Sequence, residues 1–308
     1  MPSGSRSAPH DRDGVVDGIR SAESVSELAD ILGTETAHEA YFEAKRVWRE
    51  YHDGWFESSY DGDDSLPGDC VTVNGHDFHV HGITHAGTDE EREFLREHVS
   101  GYGDGVTVYC EQGIRRMYFD DLAGVCEMDD YSWSKDKVDE LGSSESAPAS
   151  RGADDIESLR SRLRDSVFAL VKSGTVVYGE GFADAVGDVA SSFLTSHAEV
   201  SKGDDFESFR LTRQVARNPE RLDELQTYYR RNLLPQPLES DWMRMHDLEI
   251  EIFTHARNER MAEYAVYHNV EDEEVHLIVG AAHQPGVVYC LEEIRDGERT
   301  TEGFEPVG

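Results

Sequence analysis

The stretch that decides the fold is Val275-His276-Leu277-Ile278-Val279-Gly280-Ala281-Ala282-His283-Gln284-Pro285-Gly286. Val275 to Val279 is an apolar run of strand length that ends at a glycine, and a helix is expected to start near Pro285 or Gly286. Two earlier segments share this plan. Phe78 to His85 reads as a strand ending in Gly82-Ile83-Thr84-His85, and Thr88 with Glu91 forms a capping box opening a helix through about Val99. Val106 to Cys110 reads as a further strand, ended by Glu111-Gln112-Gly113. Each run carries a titratable residue at or just past its carboxyl end, the edge where open α/β sheets bind ligands. The expected fold class is therefore α/β, a mixed central sheet flanked by helices with a largely helical insertion in the middle.

The two histidine segments match one another as strand, Gly-x-x-His, a nearby Gly87 or Gly286, then helix, with the histidines 198 residues apart. Both histidines lie close to an expected helix N-terminus, whose dipole disfavours imidazolium. Each is therefore expected neutral, able to ligate a metal or accept a proton. His79 and His81 are two apart on one strand face, where they either chelate an ion or belong to a solvated face.

Outward from these motifs, residues 1–20 are Gly/Ser/Asp-rich and read as a disordered tail, with a single domain expected over 21–308. Ser24 and Glu27 cap a helix that Gly33 stops, and Ala37, Tyr41, Ala44, Trp48 and Tyr51 share the face of the next. A Gly/Asp-rich turn at 61–69 leads into Cys70 to Thr72. The low-complexity stretch 142–155 reads as a flexible linker, and about 156–245 as the helical insertion, interrupted at Pro235 and Pro237.

The 308 residues carry 64 Asp plus Glu against 29 Lys plus Arg, a formal net charge of −35. The acid is spread along the chain and lysine is scarce, the pattern of a surface solvated in molar salt, where the Debye length is about 3 Å, whereas specific binding of a cation or basic partner would concentrate the acid in one block. Such a field disfavours nucleic acid and anionic membranes as partners. Four cysteines without CxxC spacing read as reduced thiols of a cytoplasmic protein. No apolar leader or 18-residue apolar run is seen, so neither secretion nor a membrane span is expected. No Gly-x-Ser-x-Gly elbow, P-loop or strand-linked GxGxxG appears, which argues against a serine-triad hydrolase and a nucleotide site.

Val279 to Gly286 resembles the second GxxH motif of the TraB/PrgY/GumN and Tiki family, and Gly82 to His85 resembles the first. Val108-Tyr109-Cys110-Glu111 is similar to the strand bearing that family's glutamate. Arg257-Asn258-Glu259-Arg260-Met261-Ala262 resembles its Arg-Asp/Asn-x-x-Met-Ala segment, the likeness covering about 76–120 and 245–295. The resemblance implies a fold related to erythromycin esterase-like and haem-binding ChaN-like proteins. It nominates His85, Glu111, Arg257 and His283 as catalytic residues of a metal-dependent hydrolase acting on peptide or amide bonds. His85, Glu111 and His283 would hold a divalent ion, Mn, Co or Zn, that lowers the pKa of bound water toward about 7. Arg257 would stabilise the oxyanion, or else form an ion pair with Glu111. The alternatives are a metal-independent esterase-like hydrolase, with His85 or His283 as base and Glu111 orienting it, and a regulatory protein that binds a peptide or haem without turnover.

Overall fold

The computed structural model describes residues 9–52, 65–103, 105–143, 206–269 and 274–307. All but the first two residues of the linker expected at 142–155, and the insertion up to 205, lie outside the described residues.

The sheet begins with a hairpin. Asn74 and Gly75, at φ 54° and 89°, turn β1 (Asp69–Val73) back onto β2 (His76–Ile83), with Val73 paired to His76. Positive φ at both turn residues gives the twist that a two-residue hairpin needs, which Asn-Gly adopts readily. β3 (Val106–Cys110), β4 (Val125–Glu127) and β5 (Glu274–Gly280) bring the strands among the described residues to five, in the order β1-β2-β5-β3-β4. Among the described strands only β1 runs antiparallel to its neighbour, so the sheet is mixed, as expected. β5, last in sequence, lies between β2 and β3.

Helices α1 (Pro9–Ser21), α2 (Val25–Leu32) and α3 (Ala37–His52) precede the sheet. α4 (Asp89–Ser100), α5 (Ile114–Tyr118) and α6 (Asp130–Ser143) follow β2, β3 and β4 in turn. The described part of the insertion is helical, with α7 (Phe206–Arg217), α8 (Leu222–Asn232) and α9 (Gln236–His246). After α10 (Leu248–Glu251) a π-helical turn, Ile252–Ala256, leads into α11 (Arg257–His268), and α12 (Gln284–Asp296) follows β5.

Alternation along the strands sends side chains to two cores. Phe78, Val80, Val275, Leu277 and Val279 pack with Met261 and Ala265 of α11 and Val287 and Leu291 of α12. On the opposite face Ile83, Val108, Cys110 and Ile278 meet Leu95 and Val99 of α4 and Leu225 and Tyr229 of α8. β5 is apolar on both faces because both are covered, apart from His276.

The tail expected to be disordered over 1–20 is corrected from Pro9 onward, where α1 forms. Val16 and Ile19, one turn apart, are fully buried in a third core shared with α2, α3 and with Leu238 and Trp242 of α9. That short apolar stripe outweighs the polar composition around it. Tyr41 stacks on Trp242 with ring centroids 4.2 Å apart, and its hydroxyl donates to Glu239 Oε2 at 2.6 Å. The side-chain half of each capping box forms, with Ser24 accepting from the Glu27 amide and Thr88 from that of Glu91. The four cysteines are free thiols. Among the described residues, no helix is long and apolar enough to cross a membrane.

Candidate active site

Because β5 separates β2 from β3, the ends of all three strands open at one place. The Ala281 amide donates to the Ile83 carbonyl and the Glu111 amide to that of Ile278, both at 2.9 Å, which draws the three termini level. The four nominated side chains meet there. His85 Nε2 lies 3.3 Å from Glu111 Oε2, and His283 Nε2 lies 3.8 Å from Glu111 Oε1. Arg257 Nη2 donates to Glu111 Oε1 and the Gly280 amide to Glu111 Oε2, each at 2.7 Å. A Cβ on Gly280 would stand 3.3 Å from His85 Nε2 and 3.4 Å from Glu111 Oε2, so the groups converge over a bare backbone. They border a cavity of about 210 Å³ walled by Ile83, Ala282, Thr212 of α7, and Leu225 and Tyr229 of α8.

Arg257 is shared between two carboxylates. Its Nε donates to Asp130 Oδ2 at 2.9 Å, its Nη2 reaches the same oxygen, and its Nη1 contacts the Phe253 carbonyl at 3.4 Å. Asp130 is fully buried and also accepts from the Gln112 amide at 2.9 Å. The sequence offers no signal for Asp130, one acid among 64. Burial pushes the Asp130 carboxyl up. Burial acts on Glu111 in the same sense, but the charges of His283, His85 and Arg257 outweigh it and hold that carboxyl well below its ordinary range. With both carboxyls ionised, Glu111 and Asp130 exceed Arg257 by one negative charge, which protonation of His85 balances.

His85 adopts a left-handed backbone, φ 59°, unusual for a residue with a side chain. The Thr84–Gly87 loop that holds it is clamped by Glu91. One carboxylate oxygen accepts from the Thr84 amide at 2.9 Å and the Thr84 hydroxyl at 2.5 Å. The other accepts from the Gly87 amide at 3.3 Å and the Tyr118 hydroxyl at 2.6 Å. The capping-box spacing marks Glu91 as a cap partner, and this clamp goes beyond it.

The expectation of two neutral histidines holds for one. Burial pulls His283 down to about 4. Burial also opposes charge on His85, yet Glu111 and Glu91 raise its pKa above the ordinary value. The cap of α4 is Thr88, three residues on, and acidic side chains fill the first turn of that helix. His283 Nδ1 lies 2.7 Å from Asn258 Oδ1, Asn258 Nδ2 donates to Gln236 Oε1 at 2.9 Å, and Gln236 Nε2 donates to the His255 carbonyl at 2.7 Å.

No family model, curated protein or solved structure matches this chain. The functional reading therefore rests on the site and on the motif resemblance.

Two imidazoles and a carboxylate are donor chemistry for zinc, manganese or cobalt, and Asn258 behind His283 and Arg257 behind Glu111 are the kind of outer partner that ligands use. Among the described residues, however, no group of three or more His, Cys, Asp or Glu side chains is arranged to hold a metal ion, and both Glu111 oxygens already accept N–H groups.

His79 and His81 lie elsewhere, on the same sheet face but farther back along β2. The face is not the solvated one considered above, because His81 is buried. Its Nδ1 meets the Pro67 carbonyl at 2.9 Å, and its Nε2 meets Nδ1 of His276, on the adjoining β5, at 2.8 Å. The rings of His79 and His276 stack at 4.9 Å, and Tyr102 covers His276 at 3.9 Å. His276 supplies the cross-strand partner that reading β2 alone does not reveal.

Proposed function

We propose that this chain hydrolyses amide or peptide bonds at the His85–Glu111–His283 site, the activity implied by its resemblance to the TraB/PrgY/GumN and Tiki family. One observation carries the reading: two imidazole Nε2 atoms lie within 3.8 Å of a single anchored carboxylate, above a side-chain-free glycine and beside a cavity. In the acid–base form, His283 Nε2 takes a proton from water as the water attacks the substrate carbonyl. His85, as imidazolium, donates to the developing oxyanion, and the proton held by His283 passes to the leaving nitrogen. Glu111 transfers no proton. Fixed by Arg257 and the Gly280 amide, it stabilises positive charge on either ring. Arg257 in this reading positions Glu111, because its visible donors are engaged. The opposite pKa shifts of the two histidines suit this division of labour.

A metal-dependent form is the second reading, favoured by a donor set of two imidazoles and one carboxylate at one place. A divalent ion held by His85, Glu111 and His283 would polarise the carbonyl and acidify bound water.

The test is hydrolysis of a peptide mixture and of small amides in molar KCl, followed by mass spectrometry with and without chelator. Turnover that survives chelation but not His283→Ala supports the acid–base form. Turnover lost to chelation and restored by zinc, manganese or cobalt supports the metal form. Stoichiometric binding of a peptide or haem with no product removes the hydrolase reading.

A further inference from the structure

We infer that Gln236, at the start of α9, decides which ring nitrogen of His283 carries the proton, acting through Asn258. This rests on the role proposed for His283 and names what prepares it. The direction of the relay is fixed from one end. The His255 carbonyl can only accept, so the Gln236 amide presents Nε2 to it, at 2.7 Å. Gln236 Oε1 must then face Asn258 and accept from its Nδ2, at 2.9 Å. That leaves Asn258 Oδ1, which can only accept, against His283 Nδ1 at 2.7 Å. Nδ1 therefore bears the hydrogen, and in the neutral ring the lone pair is at Nε2, on the side of Glu111 and the cavity.

The relay is locked by its surroundings. His255, Gln236 and Asn258 are each 5% exposed or less, so water cannot readily replace a broken link. His255 lies in the π-helical turn, where the α-helical hydrogen-bond register shifts. Gly286 passes so close that a Cβ there would overlap the Asn258 amide and stand 2.5 Å from Gln236 Oε1. The glycine of the Pro285-Gly286 pair is thus required by close approach. Gln236 is a positioning residue: it touches neither the cavity nor a reacting atom.

The experiment is two-bond ¹H–¹⁵N correlation on the full chain labelled in histidine, with His283→Ala assigning the signal, alongside kcat and KM. The wild type is expected to show His283 protonated at Nδ1. Gln236→Leu should let the Asn258 amide turn, populate the Nε2–H form and lower kcat by about 10–100-fold while KM changes little. Adding Asn258→Asp to that variant should restore the Nδ1–H form, since either carboxylate oxygen accepts. A purely structural role for Gln236 predicts no such rescue. Wild-type His283 protonated at Nε2, or a Gln236→Leu protein with unchanged tautomer, overturns the inference. If Gln236→Leu does not fold, the wild-type spectrum and the Asn258→Asp protein decide, the latter expected to keep Nδ1–H and raise the acidic limb of the kcat/KM profile. An Nδ1–H wild type without turnover leaves the relay standing and removes only the hydrolase reading.

Discussion

The Tyr118 hydroxyl donates to Glu91 Oε2 at 2.6 Å while accepting the Gly87 amide at 2.9 Å, so one phenol fastens both the clamp and the loop it clamps. The left-handed conformation of His85 costs on the order of 1–2 kcal/mol, and this network opposes its relaxation. Tyr118→Phe should lose about 1 kcal/mol in urea unfolding, and Glu91→Ala about 2–4 kcal/mol because several donors are stranded together. Activity should fall further than stability in both. Equal activity in wild type and Glu91→Ala would show that the loop needs no clamp.

Gly280→Ala separates site from scaffold. The added methyl meets the ends of the His85 and Glu111 side chains at 3.3–3.4 Å, so these must give by a few tenths of an ångström, and it occupies the space over which the catalytic groups converge. The midpoint of thermal unfolding should move by only a few degrees while turnover is lost. Retained turnover would place the chemistry elsewhere.

Arg257→Lys is not a conservative change. A lysine ammonium cannot reproduce the forked contact that spans Glu111 and Asp130. A destabilisation of about 3–5 kcal/mol is expected, reduced when Asp130→Asn removes the second carboxylate. A denaturant double-mutant cycle measures this coupling, and additive single effects would contradict it.

The strand ends were legible because local chemistry marks them: an apolar run, a glycine, then His85, Glu111 or His283. The helical character of 206–245 was legible as part of the helical insertion expected over about 156–245. What escaped reading depends on distant contacts. Gln236 meets Asn258 only when α9 and α11 pack together, and Asp130 is one acid in a chain rich in them. His276 interrupts an apolar run, but its partner His81 lies two hundred residues away on another strand. Asn74-Gly75 is a hairpin signal readable in principle, masked by the unusual histidine content of the strand that follows.

Acid should weaken the fold through its buried imidazoles. Burial lowers His81 to about 3 and His276 to about 4, so the folded chain leaves them neutral while the unfolded chain binds protons below about 6.5. Their contribution is complete above that pH and is lost as pH falls toward 4, at up to about 1.4 kcal/mol per unit for each histidine. Urea unfolding at pH 7.5 and 5.0 in constant KCl checks the sign. His276→Gln should flatten the dependence, and an unchanged slope would remove these rings as its source.

Salt tests the reading of the surface. Diluting KCl from molar to about 0.01 M lengthens the Debye length to about 30 Å, exposing the charge of −35 to its own repulsion. Far-UV ellipticity should be lost on dilution and regained when KCl is restored. A fold indifferent to salt would contradict a halophilic surface.

The central position of β5 also dictates when the site can exist. As the chain leaves the ribosome, β2 and β3 emerge early but lack the strand that joins them, and about 160 residues follow β3 before it is made. Pairing across such separations is slow and leaves apolar edges waiting. His85 and Glu111 therefore cannot meet His283 over Gly280 until β5 has been made, and a chain stalled before that point carries half of the chemistry with no means of assembling it.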